Sequence, residues 1–159
     1  MAEQTITWQC KSFHELRPAE LHRLLALRCA VFIIEQNCPY LDPDYKDEYA
    51  LHVMGWKGEE LVAVSRILPA GVSYEEVSVG RVATSASVRG TGAGKMLMTK
   101  TMEYISYTFG NVPVRISAQS YLQKYYEGYG FKRTEKEEYL EDNIPHVEML
   151  YVDKNLMTG

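Results

Sequence analysis

Arg89-Gly90-Thr91-Gly92-Ala93-Gly94-Lys95 stands between a β-type run at residues 77–84 and the most regularly periodic stretch of the chain. From Gly94 onward Leu97, Met98, Thr101, Met102 and Ile105 recur at helical spacing, with a stop at Phe109-Gly110, so the segment reads as strand, glycine turn, helix. Glycines let the backbone turn with its N–H groups inward and admit a ligand without Cβ clashes, and a helix N-terminus adds about +0.5 charge. Such a turn is a cradle for an anion, and pyrophosphate is its natural guest.

Spacing separates the phosphate motifs that compete for it. The Walker pattern G-x-x-x-x-G-K-[ST] fails twice, with Arg89 where its first glycine belongs and Met96 where its hydroxyl belongs. The dinucleotide pattern G-x-G-x-x-G, aligned on Gly90 and Gly92, meets Lys95 instead of its third glycine. What remains is R-x-x-G-x-G at Arg89, Gly92 and Gly94.

Upstream, residues 5–11 read as a strand and Pro18 opens a helix whose apolar face is Leu21, Leu24, Leu25, Cys29 and Phe32, with Glu20, His22 and Arg23 off it. The β-branched run at 31–34 blurs its end, and the two prolines of Cys38-Pro39-Tyr40-Leu41-Asp42-Pro43-Asp44 make a loop. Residues 51–57 and 60–68 form a hairpin through Gly58-Glu59. Downstream come a strand at 114–118, a short helix at 120–129 stopped by Gly130, and an antiparallel pair at 132–140 and 146–153. The order β-α-β-β-β-α-β-α-β-β predicts an α/β protein, more closely α+β, built on a mixed sheet.

A chain of 159 residues with 46% hydrophobic and 24% charged residues predicts one globular domain, residues 1–159. With 17 Lys and Arg against 21 Asp and Glu the net charge is −4, the wrong sign for a nucleic-acid partner. The longest apolar run, Cys29 to Ile34, is six residues, far short of the roughly 20 of a membrane helix. Met1-Ala2-Glu3-Gln4-Thr5 has neither a basic nor an apolar leader region, so the expected address is the cytoplasm. Cys10, Cys29 and Cys38 form no C-x-x-C, and His14, His22, His52 and His146 form no H-x-x-x-H, so neither a disulfide framework nor a metal is expected.

With Arg89, Gly92 and Gly94 in place, the chain resembles the GNAT (Gcn5-related) N-acetyltransferases, whose acetyl-CoA pyrophosphate loop has the form [QR]-x-x-G-x-[GA]. Gln119 to Phe131 is similar to that family's N-x-x-x-x-x-[FL]-Y-x-x-x-G-F, with Gln119 in place of the Asn. Residues 29–40 together with Ile144-Pro145-His146 resemble its ElaA-type branch. The resemblance implies the acyl-CoA N-acyltransferase fold: a mostly antiparallel sheet flanked by helices and splayed between its fourth and fifth strands.

It also implies a site. Acetyl-CoA would lie against Val82, Ala83 and Thr84, with its pyrophosphate on Arg89, Gly90, Thr91, Gly92, Ala93, Gly94 and Lys95 and with Gln119 nearby. Tyr126 matches the tyrosine that faces the sulfur and protonates the thiolate, although packing beside Tyr125 and Tyr129 is the simpler role for its ring. Strand 77–84 holds no carboxylate, which leaves Glu35, His52 and His146 as acceptor-side candidates, with Glu35 and His146 for the base and His52 for the acceptor. A lysine-like amine must give up about 4.6 kcal/mol of protonation at pH 7, an α-amine about 1. Arg81, unusual in a buried-type strand, is expected either to pair with an acid such as Glu35 or to face an anionic part of the acceptor. The expected activity is acetyl transfer to the primary amine of a small molecule or peptide. The alternative is a non-catalytic acyl-CoA-binding or regulatory domain, and aromatics expected to be exposed, such as Tyr104 and Tyr107, permit a homodimer.

Overall fold

The computed structural model describes residues 5–153. Residues 1–4, read for a leader, and the outer ends of the 1–159 domain lie outside the described residues. The elements are β1 (Thr7–Ser12), α1 (Pro18–Arg28), a π-helical continuation (Cys29–Glu35), β2 (Leu51–Lys57), β3 (Glu60–Leu68), β4 (Val77–Thr84) and α2 (Ala93–Phe109). They continue with β5 (Val114–Gln119), α3 (Gln123–Glu127), β6 (Phe131–Arg133), β7 (Tyr139–Glu141) and β8 (Ile144–Tyr151). One sheet runs β1-β2-β3-β4-β5-β8-β6, with β7 also on β8. Among the described residues only β4 and β5 pair in parallel; the other pairs are antiparallel.

Alternation along the strands sends side chains to two cores. Val53, Ala63, Ile67, Val77 and Val79 pack with Leu97, Met98 and Ile105 of α2, while Met54 and Val64 pack with Leu24 and Val31 on the face covered by α1. Tyr126 and Phe131 belong to the α2 side.

Four sequence expectations need correction. The strand expected at 132–140 is two short strands, β6 and β7, both laid on β8, because 134–138 turns away after Thr134 N–H bonds to the Glu148 carbonyl. Cys29 is exposed rather than on the apolar face. Glu20, expected off the apolar face, is buried, because a charged side chain goes inside when partners wait for it: it accepts from the Arg17 N–H at 2.8 Å and from Lys11 Nζ at 2.9 Å. Tyr107 is 91% exposed, but Tyr104 packs against the core.

Candidate active site

β4 and β5 pair only through Val77 with Val114 and Ser78 with Arg115, after which β5 pairs with β8 alone. A bulge in β4 accompanies the parting. Gly80 faces Arg66 and Ala83 faces Val64, so Arg81 and Val82 together oppose Ser65. Arg81 takes φ +51°, a left-handed conformation costly for a residue with a Cβ and held here by its ion pairs. The extra residue also swaps faces: Val77 and Val79 point to the α2 core, whereas Ala83 points to the α1 core and Val82 takes the α2 side. The opening is a cleft of about 890 Å³ walled by Val82, Ala83 and Thr84 on β4, by Ile116, Ala118 and Gln119 on β5, and by Tyr126.

Arg89 lines one end of this cleft, and residues 90–95 continue from it as a turn outside the lining. Gly90 (φ +80°) and Gly92 (φ +88°) hold the left-handed conformations the turn requires, and nothing lies within 4 Å of where a Cβ would be on either. The N–H of Met96 makes the first helical bond, to Gly92, so the N–H groups of the residues just before it have no partner within α2. Open space, free donors and the helix N-terminus suit a pyrophosphate.

Tyr126, on α3, is 8% exposed and stacks edge-on against Tyr125 and Phe131. Burial pushes its hydroxyl up to about 12, aided by Tyr121 and Tyr129, so it stays protonated across the physiological range. Tyr125 is the more exposed ring, its hydroxyl accepting from Tyr129 and resting near Gly94.

The remaining candidates separate. Glu35 lines the cleft but pairs with Arg89 at 2.7 Å, not with Arg81. His146 lines it too: its Nδ1 lies 2.7 Å from the Ile144 carbonyl and therefore carries a proton, and its Nε2 faces Glu141 at 3.3 Å. Gln119 donates to Gln36 at 3.1 Å across the cleft. His52 is 1% exposed, bonded at 2.9 Å to the Asp47 carbonyl, and is not brought to the cleft. Its alternation on β2 places it inward, against the charged cluster described next.

The partners of Arg81 are Asp42, at 2.9 Å, and Asp44, at 3.5 Å. These belong to a cluster that sequence reasoning missed. Arg28 bonds Asp42 and Asp47 at 2.7 and 2.8 Å, and Arg66 bonds Asp44 and Asp47 at 2.6 and 3.2 Å. The signal was three aspartates at 42, 44 and 47 in and after a proline-rich loop. Three arginines from α1, β3 and β4 thereby tie that loop down as a wall of the cleft. Burial pushes Asp44 up, but the hydrogen bonds and charge of Arg66 outweigh it and hold its carboxyl at about 2, against 3.8 when free. Asp44 therefore binds its proton more readily unfolded than folded, and its stabilisation is complete above pH 4 and lost as pH falls toward 2. Denaturation followed from pH 7 to pH 2 is expected to show stability declining from about pH 6.5, where unfolded His52 takes up a proton that buried His52 resists, and falling further below pH 4, and an Asp44→Asn variant is expected to lose part of the drop below pH 4.

A family model described as an acetyltransferase (GNAT) domain matches residues 33–152. Protein ElaA of Escherichia coli K12 is 44% identical over 146 residues, covering 91% of this chain and 95% of that protein. The crystal structure of Escherichia coli ElaA superposes with a TM-score of 0.86 over 92% of this chain and 99% of that one. An acyl-CoA N-acyltransferase from Pseudomonas aeruginosa, 39% identical, superposes with a TM-score of 0.89 over 93% of this chain and 100% of that one. An aminoglycoside 6'-N-acetyltransferase crystallised with coenzyme A, 14% identical, shares the fold at a TM-score of 0.66 over 91% of this chain and 96% of that one. These relatives match nearly the whole length of the chain, and the chain belongs to the GNAT acetyltransferase family.

Proposed function

We propose that the protein transfers the acetyl group of acetyl-CoA to the primary amine of a small molecule or peptide, by direct attack while both are bound. The observation that carries this reading is the cleft between β4 and β5, on which the 82–84 backbone, Arg89 and Tyr126 converge. The aminoglycoside acetyltransferase of the same fold was crystallised with coenzyme A, which supports the choice of cosubstrate.

Gly90 to Lys95 and the Arg89 guanidinium would hold the pyrophosphate, and the backbone of Val82, Ala83 and Thr84 would hold the pantetheine arm. Acetyl-CoA supplies an activated carbonyl. The N–H groups of the bulged strand are the donors available to the charge that develops on its oxygen. Tyr126 Oη gives its proton to the departing thiolate. His146 Nε2, or Glu141 behind it, takes the proton that the amine loses; Glu35 serves this role only once released from Arg89. Three free cysteines suit a reducing compartment, and we place the reaction in the cytoplasm.

A second reading, a non-catalytic acyl-CoA-binding domain, draws on the absence of a carboxylate from β4 and on the tying of Glu35 to Arg89. Thiol release from acetyl-CoA in the presence of mixed primary amines separates the two. Release that depends on the amine, with acetylated amine recovered, is expected; binding without release would favour the second reading.

A further inference from the structure

The cleft lining carries charge of both signs, contributed by two groups of residues. One group belongs to the cluster in which Arg28, Arg66 and Arg81 are matched by Asp42, Asp44 and Asp47, with Lys46 left over. Its ammonium donates to the neutral hydroxyl of Ser73 at 2.8 Å, and among the described residues it makes no ion pair. Both Lys46 and Ser73 line the cleft. Tyr45, just before, takes φ +64° and is 77% exposed, so the chain turns at this residue with Tyr45 outward and Lys46 inward. Arg66, in the same group and 5% exposed, holds the one buried side-chain nitrogen among the described residues without a hydrogen-bond partner, its Nε.

The other group is Glu141 and Asp142, both cleft-lining. Glu141 meets only the His146 ring, and the Asp142 carbonyl accepts from Cys38 Sγ; no Lys or Arg pairs with either carboxylate among the described residues. Both groups of residues line the same cleft. Tyr74, adjacent to Ser73, lines the cleft and has its hydroxyl pushed up to about 12 by burial and then by Tyr139 and Glu141. Tyr40, whose ring lies 5.6 Å from the Arg81 guanidinium, also feels Asp142.

A site with an unmatched cation and unmatched carboxylates is complementary to a dipolar ligand. We propose that the acceptor is a small amine that also carries a carboxylate, as free amino acids do, with Lys46 holding the carboxylate and the Glu141 group drawing in the ammonium. This rests on the N-acyltransferase reading and narrows its acceptor. The ammonium end then lies beside His146, the group placed to receive the proton that the amine must lose.

L-lysine and cadaverine differ only by the carboxylate, so the ratio of their kcat/KM values reads the Lys46 contact. A charge-assisted hydrogen bond predicts a ratio of about 10–100 in favour of L-lysine, collapsing toward unity in Lys46→Gln and restored in Lys46→Arg. Acetyl-CoA affinity is expected to be the same in all three proteins. A ratio near unity in the unmodified protein, or one unmoved by Lys46→Gln, overturns the proposal. Phosphoethanolamine against ethanolamine is the second pair, and a preference confined to it overturns the carboxylate assignment. If acetyl-CoA binds but no amine releases thiol, the transferase reading fails. Calorimetric titration of L-lysine and cadaverine into the CoA-loaded protein then still decides the charge pairing, by the same ratio and the same two variants.

Discussion

Tyr126→Phe is expected to lower kcat by about 10²–10⁴-fold, the range for a lost general acid, without weakening acetyl-CoA binding. The ring is buried among Tyr125 and Phe131, and phenylalanine keeps that packing, so folding is expected to survive. Its hydroxyl sits at about 12, and a free thiol near 8.5 would leave a proton transfer uphill by roughly 3.5 units, about 4.8 kcal/mol. Burial narrows that gap, because a thiolate released in an apolar cleft is itself poorly solvated. Cys10 of this chain is an internal gauge: burial first, then Glu15, raises its thiol from 9.0 to about 11. Measured kcat and KM, with acetyl-CoA affinity determined separately, check this expectation. A loss below about threefold, far short of what removing a general acid costs, would reduce Tyr126 to a packing residue.

Arg28→Met is expected to destabilise the protein by about 3–5 kcal/mol, the cost of leaving buried charge unpaired. Methionine fills much of the space of the arginine stem but strands Asp42 and Asp47 beside a guanidinium no longer there. Arg81 and Arg66 still reach those aspartates, yet three carboxylates then share two guanidinium groups. Lys100→Met is the contrast, since Lys100 and Glu103 are 35% and 61% exposed and their pair is worth about 0–1 kcal/mol. Urea denaturation of both variants at pH 7 measures the difference. Equal losses would mean that the buried cluster does not anchor the loop at 38–47.

The glycine turn, the helix after it and the order of the elements were legible because each is decided locally. Gly90 and Gly92 are needed where φ is positive, and the periodicity of α2 is that of its buried side. The bulge was not, because its positive-φ residue is Arg81, held by Asp42 and Asp44 from a loop 37–39 residues away in sequence. Glu20 defeated the helical pattern for the same reason, and Arg28 went unread: burial of a charge depends on partners that no spacing within the helix reveals. Glu35, read as an acceptor-side base or a partner of Arg81, pairs instead with Arg89, which lies in the very loop read as the phosphate cradle. The strand break after β6 falls at Glu135-Lys136-Glu137-Glu138, a charged stretch of low strand propensity that the reading of 132–140 as one strand ran through.

The most direct test of the account is calorimetric titration of the purified protein with acetyl-CoA, with ATP and NAD as controls. Saturable binding of acetyl-CoA at one site, with neither nucleotide competing, is the expected result. Failure to bind acetyl-CoA at millimolar concentration, or displacement of it by ATP or NAD, would contradict the assignment of the β4–β5 cleft and its glycine turn to an acyl-CoA.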